Sequence, residues 1–322
     1  PPTKGVLTVI NSTVTLNTAD EGAGIFQSDT GYSGSVYEVV MTVIGSTVSA
    51  NTSGNLGGGI ANGGLGIHSA GAVTITGDSI ITGNNGGNLG GGIHLGYNGT
   101  LTIYNSTISN NSATSGAGRG GAIDSSGAGS IIITNSTLSG NTALAGGALD
   151  NRATTTISKS TIKGNTATSY GGGGIIQSVN NVTLTIDKST ISDNSAARDG
   201  GGLSANIGTV YITNSTISGN RSGTTTTNFV VCCRGGGIYV GSVPSNNTSS
   251  VILSHDTPIV TLRNSTITSN TALSQSGNAG QGGGIYGNAT ISNTIIAGNV
   301  ASTGPDHNYG YLTSQGHNLL GS

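Results

Sequence analysis

The sequence predicts an all-β fold, a right-handed parallel β-helix of about ten coils, and three observations carry that prediction. A phrase of the form Ile-x-Asn-Ser-Thr-Ile-Ser-x-Asn-x-Ala recurs along the chain, most clearly from Ile103 to Ala113 and from Ile133 to Ala143. A Gly-Gly-Gly-Ile tract follows most copies, and the apolar residues before each copy alternate at a period of two. Self-similarity at this period marks a solenoid, in which each repeat packs on its neighbours and the core grows lengthwise. The 322 residues therefore read as a single domain, with residues 1–6 as an N-terminal extension, 221–258 as an insertion-bearing coil and 301–322 as an atypical end.

Strands come first. Segments such as Leu101-Thr-Ile103, Leu184-Thr-Ile186 and Val260-Thr-Leu262 put one face inward and one outward. They are too short for helices and are punctuated by Gly and Asn, so each coil reads as two or three short strands joined by turns. Val14, Val48, Ile81, Ile108, Leu138, Ile162, Ile191, Ile217, Ile267 and Ile296 each sit three residues before an asparagine and fill the core.

The asparagine column follows: Asn17, Asn51, Asn84, Asn111, Asn141, Asn165, Asn194, Asn220, Asn270 and Asn299, spaced 34, 33, 27, 30, 24, 29, 26, 50 and 29 residues apart. Stacked coils about 4.8 Å apart place these amides in a ladder, each donating to one neighbour and accepting from the other. Asn111, Asn141, Asn165, Asn194 and Asn220 form its expected centre. The glycine tracts, such as Gly90–Ile93 and Gly120–Ile123, allow positive φ or close backbone approach. None is followed by Lys-Ser/Thr, so they are not phosphate cradles. Nor is the Asp of the calcium-binding nonapeptide in register. Sequons such as Asn105-Ser-Thr and Asn214-Ser-Thr read as by-products of the repeat.

Composition narrows the function. Charged residues make up 7%, aromatics 4% and the net charge is −2, with no basic stripe for nucleic acid. No 18-residue apolar run is present to span a bilayer as a helix, and the start, Pro1-Pro2-Thr3-Lys4, has no signal peptide and reads as mature or trimmed. No cofactor is called for. Cys232 and Cys233 are adjacent within an insertion, and neighbouring Cα atoms about 3.8 Å apart are closer than the usual disulfide span. A strained vicinal bridge, two free thiols and a bond to another chain all stay open.

Gly120-Gly-Ala-Ile123 with Ile108-Ser-Asn-Asn111 resembles the polymorphic outer-membrane-protein repeat of bacterial surface adhesins, with Ile, Val or Leu where that family carries Phe. The Asn-Ser-Thr-Ile-Ser-Gly-Asn-Thr-Ala phrase is more similar to right-handed parallel β-helix repeat proteins of bacterial and archaeal surfaces. The ending Gly316-His-Asn-Leu-Leu-Gly321 is similar to that group's closing motif. The resemblance covers roughly residues 7–321. It implies a right-handed coil and a secreted, extracellular or cell-surface location; no autotransporter barrel pattern accompanies it.

Because the repeat explains most columns, chemistry is sought where it breaks. The position after each tract's aliphatic residue, expected to face outward, carries Phe26, Ala61, His94, Asp124, Asp150, Ile176, Ser204, Tyr239 and Tyr286. His94, Asp124 and Asp150 would stack on consecutive coils, beside Asn151 and Arg152. Two carboxylates one coil apart suit proton sharing, a metal cation or glycoside cleavage of the pectin-enzyme type. Only Arg152 stands close, whereas Lys159 and Lys188 fall on another face. A threonine rank (Thr8, Thr42, Thr74, Thr102, Thr156, Thr185, Thr261, Thr290), interrupted by Ile132 and Tyr211, suits ice binding. The favoured expectation is a non-enzymatic structural or adhesive solenoid. Its partners would be cell-surface glycans or envelope proteins, and copies of itself joined head-to-tail into a filament through open end coils.

Overall fold

The structure is a computed structural model that describes residues 5–27, 39–63, 71–127, 129–224, 233–241, 257–274, 279–303 and 307–321. Its strands stack into parallel sheets of eleven, eleven, ten and seven strands, with a two-stranded companion near the N-terminal end. This is a parallel β-helix, and no helix long and apolar enough to cross a membrane occurs among the described residues. Right-handed connection is the rule for parallel crossovers of this kind.

One coil shows how the residues make the elements. Thr100–Tyr104 joins the first sheet, Thr107–Ser109 the second, Ser112–Ala113 the third and Ile123–Ser125 the fourth. Most coils thus hold four strands where alternation predicts two or three, because a two-residue strand is too short to show a period. Register is strict: Leu101 faces Ile131 and Ile103 faces Ile133, so inward aliphatics stack on inward aliphatics. Residues such as Leu101, Ile103, Ile108 and Ile123, all nearly inaccessible, belong to one continuous core.

Two ladders run through the stack beside that core. In the asparagine ladder, the backbone N–H and one side-chain N–H of each residue donate to Oδ1 of the asparagine one coil on. Asn111 does so to Asn141 at 3.0 Å each, and Asn165 to Asn194 at 2.9 Å each. Nδ2 also donates backwards, as from Asn165 to the Leu138 carbonyl at 3.1 Å. Asn194 and Asn220 continue the pattern. The expected ladder is therefore present, and it also captures the turn's backbone N–H.

The second ladder is serine. Ser136, Ser160 and Ser189 each donate a backbone N–H to the next coil's serine Oγ at 3.1 Å. Each hydroxyl is held by a carbonyl two residues upstream, as in Ser160 to Ser158 at 2.7 Å. The Asn-Ser-Thr phrase thus assigns one job per residue. Its Asn takes the left-handed corner between the first two sheets, as at Asn105 (φ 48°) and Asn135 (φ 49°), where Asn is tolerated best after Gly. Its Ser enters the buried ladder, and its Thr begins the second-sheet strand. Lys159 and Lys188 occupy the same exposed corner as Asn105, on the other face expected for them.

The glycine tracts close the fourth corner. Gly120 has φ +60°, and a Cβ there would run into the Ile123 carbonyl; one on Gly121 would meet the backbone of Gly147 and Thr142 in the next coil. At the C-terminal end, Asn308–Tyr309, Leu312–Ser314 and Leu319–Leu320 extend the fourth, first and second sheets. The first two sheets therefore count eleven strands rather than about ten. Gly304-Pro-Asp and most of the insertion-bearing coil, residues 225–232 and 242–256, lie outside the described residues.

The ladder generates a prediction. Asn165→Ala removes the acceptor for both donors of Asn141 and the donor to Leu138. At ~1–3 kcal/mol per buried unsatisfied group, the cost is about 3 kcal/mol or more. Asn17→Ala, at the exposed first rung, costs under about 1 kcal/mol. Urea midpoints measure both.

Candidate functional site

The fourth-sheet strands bring the sequence-predicted residues together in register. His94 pairs with Asp124, Asp124 with Asp150, Asp150 with Ile176, Ile176 with Ser204, Ser204 with Tyr239 and Tyr239 with Tyr286. The stacking is as expected, but the exposure is not. His94, Asp124 and Asp150 are at most 1% exposed, and Ala61, Ile176, Ser204 and Tyr239 are buried with them; Phe26, at 44%, faces solvent and Tyr286 is half-buried. Alternation identifies a strand's two faces but not what lies beyond the outer one. Here a further column lies beside it, built from the residue just before each glycine tract. Leu56, Leu89, Arg119 and Ala145 are bridged from coil to coil in that column.

Charge is concentrated in this seam. His94 Nδ1 and Asp124 Oδ2 share a hydrogen bond of 2.9 Å. Arg119 and Arg152 each donate to Asp150 Oδ2 at 3.2 Å, while Asp150 Oδ1 has no hydrogen-bond partner. Burial pushes the Asp150 carboxyl above the usual carboxylate range, Arg152 and Arg119 oppose that shift, and the Asp124 charge adds to it. Burial wins. Asp124 and Asp150, the residues expected to suit a metal cation, already hold cationic or imidazole partners. No group of three or more His, Cys, Asp or Glu side chains among the described residues is placed to hold a metal ion.

Two coils beyond Asp150, Asp199 accepts from Arg234 through the backbone N–H (3.0 Å), Nε (3.0 Å) and Nη2 (2.9 Å). The Arg234 guanidinium lies 4.7 Å from the Tyr239 ring centroid and 5.0 Å from that of Tyr286. Tyr239, Tyr286 and Tyr309 stack at 5.5 and 5.2 Å. Burial pushes the Tyr239 hydroxyl up to about 12, against the pull of Arg234.

Sequence reading by columns finds Arg152 as a neighbour of the carboxylates and misses Arg119, Asp199 and Arg234. The signal for them is positional: all three directly precede a glycine tract, in a chain with few charges.

Elsewhere, the threonine rank of the first sheet is in register through Thr74, Thr102, Ile132, Thr156, Thr185, Tyr211 and Thr261. Ile132 and Tyr211 protrude from it, 46% and 44% exposed. The second sheet carries a parallel pair of ranks that the sequence reading did not isolate. One holds Thr107, Thr137, Thr161, Thr190 and Thr216, and the other Ser109, Ser139, Lys163, Ser192 and Ser218. Cys233 is buried and disulfide-bonded, while Cys232 lies outside the described residues.

The buried carboxyl predicts a pH dependence. A folded-state pKa raised above the ordinary 3.8 means that the folded chain holds its proton longer than the unfolded chain. That contribution is fully present below the ordinary value and is lost as pH rises through the folded one. The stability of Asp150→Asn relative to the parent therefore improves between about pH 4 and pH 7. Urea midpoints at the two ends read this, and a pH-independent difference contradicts it.

Compared with known proteins, the chain matches no family model, no curated protein and no solved structure.

Proposed function

We propose that this chain is an extracellular structural or adhesive β-solenoid of a cell surface, with envelope glycans or proteins as its partners. The observation that carries the reading is the closure of the His94–Asp124–Asp150 stack. The residues best suited to acid–base catalysis are shut away from solvent, with Asp150 held between two arginines. A general acid or base must reach its substrate within hydrogen-bonding distance, and these groups face protein instead. The continuous ladders support the same reading, since they give a long, stiff rod with regular faces.

Apolar residues at the edges of the described stack, Val6, Ile10 and Leu16 at one end and Leu319 and Leu320 at the other, are exposed. Through these edges a further coil, of the same polypeptide or of a second copy, would extend the rod; the second case is the filament.

A second reading, ordering of water at an ice surface, draws support from the Thr rank of the second sheet, because a row of short hydroxyl side chains matches a periodic surface; the Ser rank beside it is broken by Lys163.

Purified protein mixed with isolated bacterial envelopes, followed by sedimentation and negative-stain imaging, tests the proposal. Decorated envelopes or end-to-end rods are expected. Dispersed rods with no envelope binding, together with cleavage of any member of a polysaccharide panel, overturn it. Thermal hysteresis lost on Thr161→Lys would favour the ice-surface reading instead.

A further inference from the structure

The column preceding the glycine tracts changes size abruptly along the rod. It runs Arg119, Ala145, Gly171, Asp199, Arg234, with consecutive members linked by the hydrogen bonds of the tracts. Two small residues follow one arginine and precede an acid–arginine pair, so side-chain bulk is missing over two coils, a length of about 10 Å. The space left is a cleft of about 320 Å³, lined by Arg119, Tyr170, Ile176, Ser178, Arg198 and Asn206 among others. That lies at the lower end of the ~300–1,000 Å³ range of small-molecule sites.

The lining has two chemical characters. Ile176, Ile207 and Ala145 give it an apolar floor, and Tyr170, 48% exposed, offers a ring at the rim. Arg119 and Arg198 bring positive charge to the same space. The carboxylates nearby are already engaged: Asp199 takes three hydrogen bonds from Arg234, and Asp150 takes one from each of Arg119 and Arg152. Arg119 donates one hydrogen bond to Asp150, and its side chain is 34% exposed. A guanidinium carries five N–H donors in a fork that fits a carboxylate. Ser178 and Asn206 add neutral polar groups to the wall.

We infer that this cleft is a binding site for an acidic sugar, a pyranose bearing a carboxylate, such as one hexuronate unit of a surface polysaccharide. The carboxylate meets the Arg119 and Arg198 side, the apolar face of the ring lies on Tyr170, and the hydroxyls meet Ser178 and Asn206. A bare inorganic anion would leave the apolar floor and the aromatic rim unused, and a neutral sugar would leave the arginines so. The inference rests on the adhesive reading for its biological use only, and binding is measured separately from adhesion.

Calorimetric titration of the whole chain with glucuronate, galacturonate and a galacturonate dimer tests it, with glucose, galactose and inorganic phosphate as controls. At least one uronate is expected to bind about tenfold or more tighter than its neutral counterpart. Tyr170→Ala and Ser178→Trp, the second filling the cleft from its wall, are each expected to weaken that binding about tenfold or more with unchanged melting. Arg119→Lys, which keeps the charge on Asp150, is expected to weaken it less than Arg119→Met. Equal affinity for neutral and acidic sugars overturns the inference, as does displacement of uronate by phosphate with Tyr170→Ala binding like the parent. Absence of uronate binding by a protein that still decorates envelopes overturns this site and leaves the adhesive reading intact. Uronate binding without decoration does the reverse.

Discussion

The structure depends on the hydrogen bond between one coil's asparagine and the next. A parallel β-helix has a narrow core, so each coil buries little apolar surface while its turns carry backbone donors that water does not reach. The Asn ladder meets that demand with one residue per coil. Oδ1 receives two hydrogens from the preceding asparagine, and Nδ2 spends its own two on the following Oδ1 and a preceding carbonyl. The serine ladder does the same at the neighbouring corner. Both bonds form only when a side-chain acceptor stands one coil on at the matching position, so they specify register as well as stability. Loops between the coils vary in length without disturbing it, as the step from Asn220 to Asn270 shows across 50 residues.

Against that regular background the fourth-sheet seam is polar and costly. Removing a carboxylate from water is expensive even when arginines flank it, and Asp150 retains one oxygen without a partner. The neighbouring column repays part of this by bringing Arg119 and Arg234 onto acidic residues of adjacent coils. The same column is small at Ala145 and Gly171, and there the seam opens into a cleft. Charge, aromatic surface and space meet in this cleft.

Much of the fold was legible in the sequence because its period is visible and its columns are chemically uniform. The inward aliphatics, the asparagines and the tract glycines each have one physical role, and the structure gives each that role. The buried serine went unread because Ser within Asn-Ser-Thr looks like an exposed turn residue until its hydroxyl is seen accepting from the coil below. The candidate site was legible in register and not in depth. Sequence aligned His94, Asp124 and Asp150 correctly, but it did not show that the stack is buried or that Arg119 reaches Asp150 from the neighbouring column. The cleft was illegible for a related reason: it arises from what Ala145 and Gly171 lack, and small residues in a chain with 58 glycines carry no signal of their own.

Native-state hydrogen exchange of the asparagine amides, backbone and side chain together, tests most directly whether the ladder holds the coils in register. The account predicts that the Nδ2 and backbone hydrogens of Asn111 through Asn220 exchange as slowly as the central strand amides of the first sheet, and only on global unfolding, whereas those of Asn17 exchange early. Fast exchange of the central asparagine side chains while the neighbouring strand amides stay protected would contradict it, since the sheets would then hold the stack without the ladder.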